Sequence, residues 1–288
     1  MTDHQKGLIL TFIGGLVLSF DIPLLRLAHG EVWSVMVIRS AATVVTVLLL
    51  WLVLRLVTGK GPVLIAGRVG LAVGLLYGLA TIFFMLSVFN TSTANVAFIL
   101  AFNPMFGALL SWIFLKIKPP LATSMTMAVM IGGMVLIVGD GMEAGHTFGD
   151  FMAFLSALAA AGAITISRAN GGDFGFAPLI STIFPALIAF YIVGQTGYQI
   201  AVPGWVIFNG LLVTPVAFWC LATGPRYLSA AEVGMFYLLE TILAPVWVWL
   251  LFNDRPSNQV LLGGFIVLAA LIAHSLWMVR RPAAATIR

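Results

Sequence analysis

Charge is what this sequence has least of. Ten acidic and fourteen basic residues stand among 288 positions, about 8% of the chain, which is too few to give a water-soluble globule of this length its polar surface. Cysteine is rarer still: Cys220 has no second thiol, which rules out an intrachain disulfide and leaves a structural thiol as its reading. The four histidines, His4, His29, His146 and His274, are scattered without the spacing of a metal site. No glycine-rich phosphate loop of the Walker type is written anywhere. These absences point away from an enzyme, and the sequence calls for no metal and no cofactor.

What fills the chain instead is apolar. Hydrophobic residues make up 61% of it and the mean hydropathy is +1.10. Runs long enough to cross a hydrocarbon core of about 30 Å at about 1.5 Å per residue recur from one end to the other. They predict ten helices, at 7–27, 33–56, 66–88, 93–116, 121–139, 149–168, 176–195, 203–223, 228–251 and 258–279. A stretch such as "VVTVLLLWLVL" does not alternate, so a β-barrel is excluded. The fold class expected is an all-α membrane protein. "MTDHQKG" leads into the first run without a small-residue cleavage pattern and reads as the start of a retained span.

The basic residues give the orientation. With the N-terminus cytoplasmic, Lys6, Arg55, Lys60, Arg68, Lys116, Lys118, Arg168, Arg226, Arg280, Arg281 and Arg288 fall inside, and Arg255 is the one clearly in an outside loop. This asymmetry predicts that both termini are cytoplasmic. It also accounts for the positive net charge without a basic soluble face, so a nucleic-acid partner is not expected.

Two stretches share a rhythm, "TANVAFILAFNP" at 93–104 and "AAEVGMFYLLET" at 230–241. Sliding the chain by 137 positions sets Ser92 on Ser229, Ala94 on Ala231, Val96 on Val233, Trp112 on Trp249 and Pro119 on Pro256. Each half then holds five helices, an odd number, so the second copy enters the membrane upside down. The expected organisation is a first five-helix repeat at 1–140 and a second, inverted one at 141–288, within one integral membrane domain. Inverted repeats suit alternating access around a central site.

The longer versions of these stretches, "TSTANVAFILAFNPMFGALLSWIFLKIKP" and "LSAAEVGMFYLLETILAPVWVWLLFNDRP", resemble the paired signature of EamA-type carriers of the drug/metabolite transporter (DMT) superfamily. The resemblance spans nearly the whole chain. It implies ten helices, two five-helix halves and export of small metabolites across the bacterial inner membrane. Within that superfamily the chain is similar to the YddG-type exporters of aromatic amino acids. One departure is that the acidic residue before the basic residue and proline is Asp254 in the second copy but Ile117 in the first.

Candidate site residues follow from depth and spacing. Glu240 lies near the middle of the ninth helix and matches Asn103 in the fourth; an intramembrane carboxylate is costly and marks a functional site unless it serves as a neutral hydrogen-bonding group. Pro104 and Pro245 each remove a backbone bond, to Leu100 and Thr241, and so predict kinks. Tyr77, Thr81 and Phe84 share a face of the third helix, as do Asn95 and Phe98 on the fourth and Phe236 and Glu240, beside Tyr237, on the ninth. An aromatic-lined pocket of this kind suits a flat side chain carrying a zwitterion, although aromatic stripes also face lipid or pack helices. Arg39 is a carboxylate contact for substrate, the ion-pair partner of Asp21, or a side chain snorkelling toward the outer interface. Gly70, Gly74 and Gly78 form a small-residue stripe for helix approach. The partners expected are a small-molecule substrate (amino acids or related metabolites) and the lipid bilayer, and a monomer is compatible with the sequence.

The topology has a direct test. A cysteine introduced at Glu143, in the loop around 140–150, should react with a membrane-impermeant reagent added from outside intact cells. Labelling only after the cytoplasmic side is opened would overturn the orientation.

Overall fold

The computed structural model describes residues 3–59, 63–65, 67–170, 176–223, 227 and 230–280. Among them the chain is made of helices and short connections, and its strand-like pairing is one antiparallel bridge between Gly30 and Ile200. The helices are α1 (Asp3–Leu18), α2 (Asp21–Leu27), α3 (Val32–Thr58), α4 (Gly67–Asn90), α5 (Thr93–Leu100), α6 (Asn103–Leu115), α7 (Leu121–Glu143), α8 (Thr147–Asn170), α9 (Ala177–Ile180), α10 (Ile183–Thr196), α11 (Pro203–Phe208), α12 (Thr214–Thr223), α13 (Ala230–Phe252) and α14 (Asn258–Arg280). A π-helical turn, Asn209–Val213, joins α11 to α12.

Nine segments of the described residues are long and apolar enough to cross a bilayer, and α13 carries a shorter apolar stretch, Leu238–Phe252. These coincide with the ten expected runs. Leu49, Leu56, Phe114, Leu121, Phe190, Tyr191 and Phe265 are exposed on the outer surfaces, as a lipid-facing shell requires.

Four spans are interrupted, and prolines explain where. Pro23 cannot donate to Ser19, Pro104 to Leu100, Pro185 to Ser181, or Pro215 to Leu211. The breaks fall there: between α1 and α2 at Ser19–Phe20, between α5 and α6 at Ala101–Phe102, between α9 and α10 at Ser181–Thr182, and at the π-helical turn. The freed groups find other donors. Phe184 N–H reaches the Ser181 carbonyl at 3.1 Å, and the Thr46 hydroxyl reaches the Leu211 carbonyl at 3.2 Å from a neighbouring span. Pro104 thus begins a second helix rather than kinking a continuous one, whereas Pro245 is carried inside an unbroken α13.

Packing runs across the chain's two halves. The first span packs on the eighth (α1 on α12), the second on the seventh (α3 on α10), the third on the sixth (α4 on α8), the fourth on the ninth (α5 on α13) and the fifth on the tenth (α7 on α14). Glycines set the closest approaches. A Cβ at Gly133 would lie 2.8 Å from the Gly263 carbonyl oxygen, and one at Gly263 would lie 2.6 Å from that of Gly133, so α7 and α14 touch backbone to backbone. Gly14 and Gly15 do the same for α1 against α12 and α13. In the expected stripe the tight position is Gly78, against Phe184 and Ser181, while Gly74 makes only ordinary contact with the same residues.

Polar contacts tie one end of the bundle together. Arg26, at the end of α2, pairs with Asp254 at 3.0 Å and donates to the Thr91 carbonyl at 2.8 Å. Thr91 donates to Asp150 at 2.6 Å, Ser257 donates to Asp140 at 2.6 Å, and Glu31 N–H reaches the Gln199 carbonyl at 2.8 Å. Five interhelical connections therefore meet at this end.

The α7–α14 contact predicts a contrast between neighbouring glycines. Gly133→Ala should cost about 1–3 kcal/mol through overpacking. Gly132→Ala, whose Cβ meets nothing within 4 Å, should be neutral or stabilising by up to about 1 kcal/mol through helix propensity. Thermal unfolding in detergent reads the order, and equal midpoints would show that the two helices do not meet here.

Candidate functional site

Four segments bring three polar side chains and one aromatic ring to one depth. Asp21, Arg39, Phe84 and Asn209 each lie six or seven residues in from the connected end of α2, α3, α4 and α11. At about 1.5 Å per residue that is about 10 Å into the bundle. Arg39 is 7% exposed and Asp21 3%, so this charge pair has left water.

Its geometry compensates. Arg39 Nη2 donates to both Asp21 oxygens, at 3.0 and 2.9 Å, and Nε donates to Asn209 Oδ1 at 3.0 Å. Asn209 Nδ2 donates in turn to Asp21 Oδ1 at 2.7 Å, and the Thr214 hydroxyl donates to Asn209 Oδ1 at 3.1 Å. The Arg39 guanidinium carbon lies 5.7 Å from the Phe84 ring centroid, within cation–π range. Nη1 has the weakest contact, the Met85 sulfur at 4.0 Å. The π-helical turn matters here: Asn209 opens it and Thr214 closes it, Thr214 N–H bonding the Asn209 carbonyl, and both side chains reach the same cluster. Widened turns of this kind recur at functional sites.

Glu240 stands twelve residues from the Phe252 end of α13, about 18 Å down and near the middle of the hydrocarbon core. It lies within electrostatic reach of Asp21 and Arg39 and remains only partly buried, although protein surrounds it. On the same face of α13, Trp247 stacks on Phe20 with centroids 5.1 Å apart and donates from Nε1 to Ser19 Oγ at 3.0 Å. On α4, Leu71, Leu75 and Leu79 face outward, while Tyr77, Thr81 and Phe84 lie on the opposite side and are half-buried.

The structure therefore brings Arg39 together with Asp21 and Phe84, and sets Glu240 within electrostatic reach of the ion pair. It seats the other candidates elsewhere. Arg39 takes the ion-pair alternative with Asp21. Tyr77 packs beside Val73, Ala163 and Ala177, and the Thr81 hydroxyl donates to the Tyr77 carbonyl at 3.0 Å. Phe236 packs against Leu18, Ala217 and Leu221. Asn95 is 1% exposed and donates to Asp150 at 3.1 and 3.2 Å, near the connected end rather than the centre. Phe98 presses on Gly264 within the cluster of Met130, Ile137 and Val267. Asn103 is half-buried at the start of α6, and the Tyr237 side chain lies outside the described residues. Sequence reasoning missed Asn209, Thr214 and Met85. Asn209 had a usable signal, as an amide in the middle of an apolar span.

The comparisons agree with this architecture. Residues 147–276 match the sequence profile of the EamA-like transporter family. A solved crystal structure is similar over 97% of this chain and 100% of its own, with a TM-score of 0.67 at 13% identity, a likeness of fold. No curated protein matches. The second half of this apolar all-helical bundle, which carries a buried charged cluster, thus matches the EamA-like transporter family, part of the DMT superfamily.

Proposed function

We propose that the protein exports small amphipathic metabolites, foremost aromatic and other apolar amino acids, across the bacterial inner membrane by alternating access, with both termini cytoplasmic. The observation that carries this reading is the buried cluster of Asp21, Arg39 and Asn209 facing Glu240. Charge in a bilayer is retained where it has work to do.

A zwitterion would use both signs. The substrate ammonium sits against Glu240 near midplane, and its carboxylate approaches Nη1 of Arg39, the arm that only the Met85 sulfur contacts. Phe84 and Trp247 supply the apolar walls. The cross-half helix pairing supports two inverted repeats at 1–140 and 141–288. Exchanging the first span with the sixth, the second with the seventh and so on maps the pairs of spans 1 with 8 and 3 with 6 onto each other, and the remaining three onto themselves. Two halves so related exchange inward-open and outward-open shapes around one site.

Proteoliposomes loaded with labelled tryptophan or alanine test the reading. Glu240→Gln should slow transport of both at least tenfold, since each carries an ammonium group. Phe84→Ala should slow tryptophan several-fold more than alanine. If the variants insert normally and the two substrates keep their wild-type rates, the amino acid reading fails; transport of amines lacking a carboxylate, with no amino acid transported, would favour a carrier of cations instead.

A further inference from the structure

A second polar site lies above the central cluster, at the connected end of the bundle. A cavity of about 180 Å³ is lined there by Ser92, Thr93 and Ala94, by Asp140, and by Asp254, Arg255 and Ser257, with Pro245 and Val248 of α13 as its floor. Pro245 is five residues along α13 from Glu240, so the cavity opens onto the same helix that carries the central carboxylate. At about 30 Å³ per water it holds about six waters, the room of a small polar headgroup.

Its walls carry both signs of charge, with His146 also among the lining residues. On one side is the N-terminus of α5, eight residues long, where Ser92 Oγ caps Asn95 N–H and the preceding N–H groups of Thr93 and Ala94 have no partner within the helix. Such an end favours an anion. The Thr93 hydroxyl adds an independent observation: the residue is 2% exposed, it lines the cavity, and its Oγ1 is buried without a hydrogen-bond partner. A buried hydroxyl left unpaired costs about 1–3 kcal/mol, which an occupant of the cavity would relieve. Arg255 stands exposed in the same wall. The lining also holds Asp140, whose Oδ1 is held by Ser257 at 2.6 Å and whose other oxygen remains for a cation. Asp254 is already committed to Arg26.

We infer that this cavity is a separate binding site for a small zwitterion, its carboxylate on Thr93, the α5 N-terminus and Arg255, and its ammonium on Asp140. The site deepens the transport reading and rests on it for its purpose, as a waiting position for the substrate headgroup beyond the central cluster. Its binding does not depend on that reading.

Glycine is the probe that fits the volume, with acetate and methylammonium as its two halves. Thermal unfolding of the full-length protein in nanodiscs is followed as each is titrated, because a ligand that binds the folded state raises its midpoint. Glycine should raise it in the wild type, and a rise should persist in Glu240→Gln, whose central site is weakened, whereas acetate or methylammonium alone should need at least tenfold more ligand. Arg255→Gln and Asp140→Asn should each weaken the glycine effect at least tenfold, and Thr93→Val, which keeps shape and removes the hydroxyl, several-fold. No glycine effect in the wild type, an effect that Glu240→Gln abolishes, or one untouched by all three cavity variants would each overturn the site. Glycine binding that responds to the cavity variants in a protein that transports no amino acid would leave the site standing and sink the transport reading.

Discussion

The Asp21–Arg39 pair is the constraint around which the interior is built. Removing two charges from water costs several kcal/mol per ion, and the protein recovers it only where every remaining donor and acceptor is met. That demand reaches into four spans. The first must break so that α2 can bring Asp21 inward. The second carries Arg39 at matching depth, the third lays the Phe84 ring beside its guanidinium, and the eighth widens into a π-helical turn so that Asn209 and Thr214 both meet the pair. A lone Arg39 with the same helices would be an uncompensated charge in hydrocarbon. The cluster therefore fixes the relative rotation of helices that apolar packing alone would leave free to slide.

Much of the fold was legible because hydrocarbon thickness leaves little choice: among the described residues, nine of the ten apolar runs became helices long enough to span, and the other kept a shorter apolar stretch. The interruptions were legible too, but only by applying one rule evenly. Pro104 and Pro245 attracted notice through their repeat positions, while Pro23, Pro185 and Pro215 act on the backbone in the same way and place three of the four breaks. What a proline does afterwards was not readable. Pro245 leaves α13 continuous, whereas Pro104 starts a new helix.

The site was legible in part for a similar reason. Glu240 and Arg39 stood out because an ionisable residue in a bilayer announces itself. Asn95 and Phe98 share a helical face with each other, but spacing does not say which neighbour that face meets. Asp150 comes from a helix 55 residues away and claims the Asn95 amide, and Gly264, with no side chain, admits the Phe98 ring. The aromatic stripe on α4 divides likewise: Phe84 joins the charged cluster and Tyr77 packs toward α8 and α9.

The polar groups also divide between levels, and that division bears on how such a bundle could move. At the connected end, Arg26 joins the first span, the end of the third and the loop after the ninth. Residues 28–34 and 199–202 add further bonds, among them Val202 N–H to the Ala28 carbonyl at 3.0 Å and Gln199 N–H to Ser34 Oγ at 3.0 Å. These are exposed or half-buried contacts, and such bonds are individually weak because water stands ready to replace them. The Asp21–Arg39 pair, deeper in, has no such substitute and holds its arrangement. Bonds that meet water therefore hold this bundle less firmly than the Asp21–Arg39 pair beneath them, and the buried Thr91–Asp150 bond at the same end shares the pair's advantage.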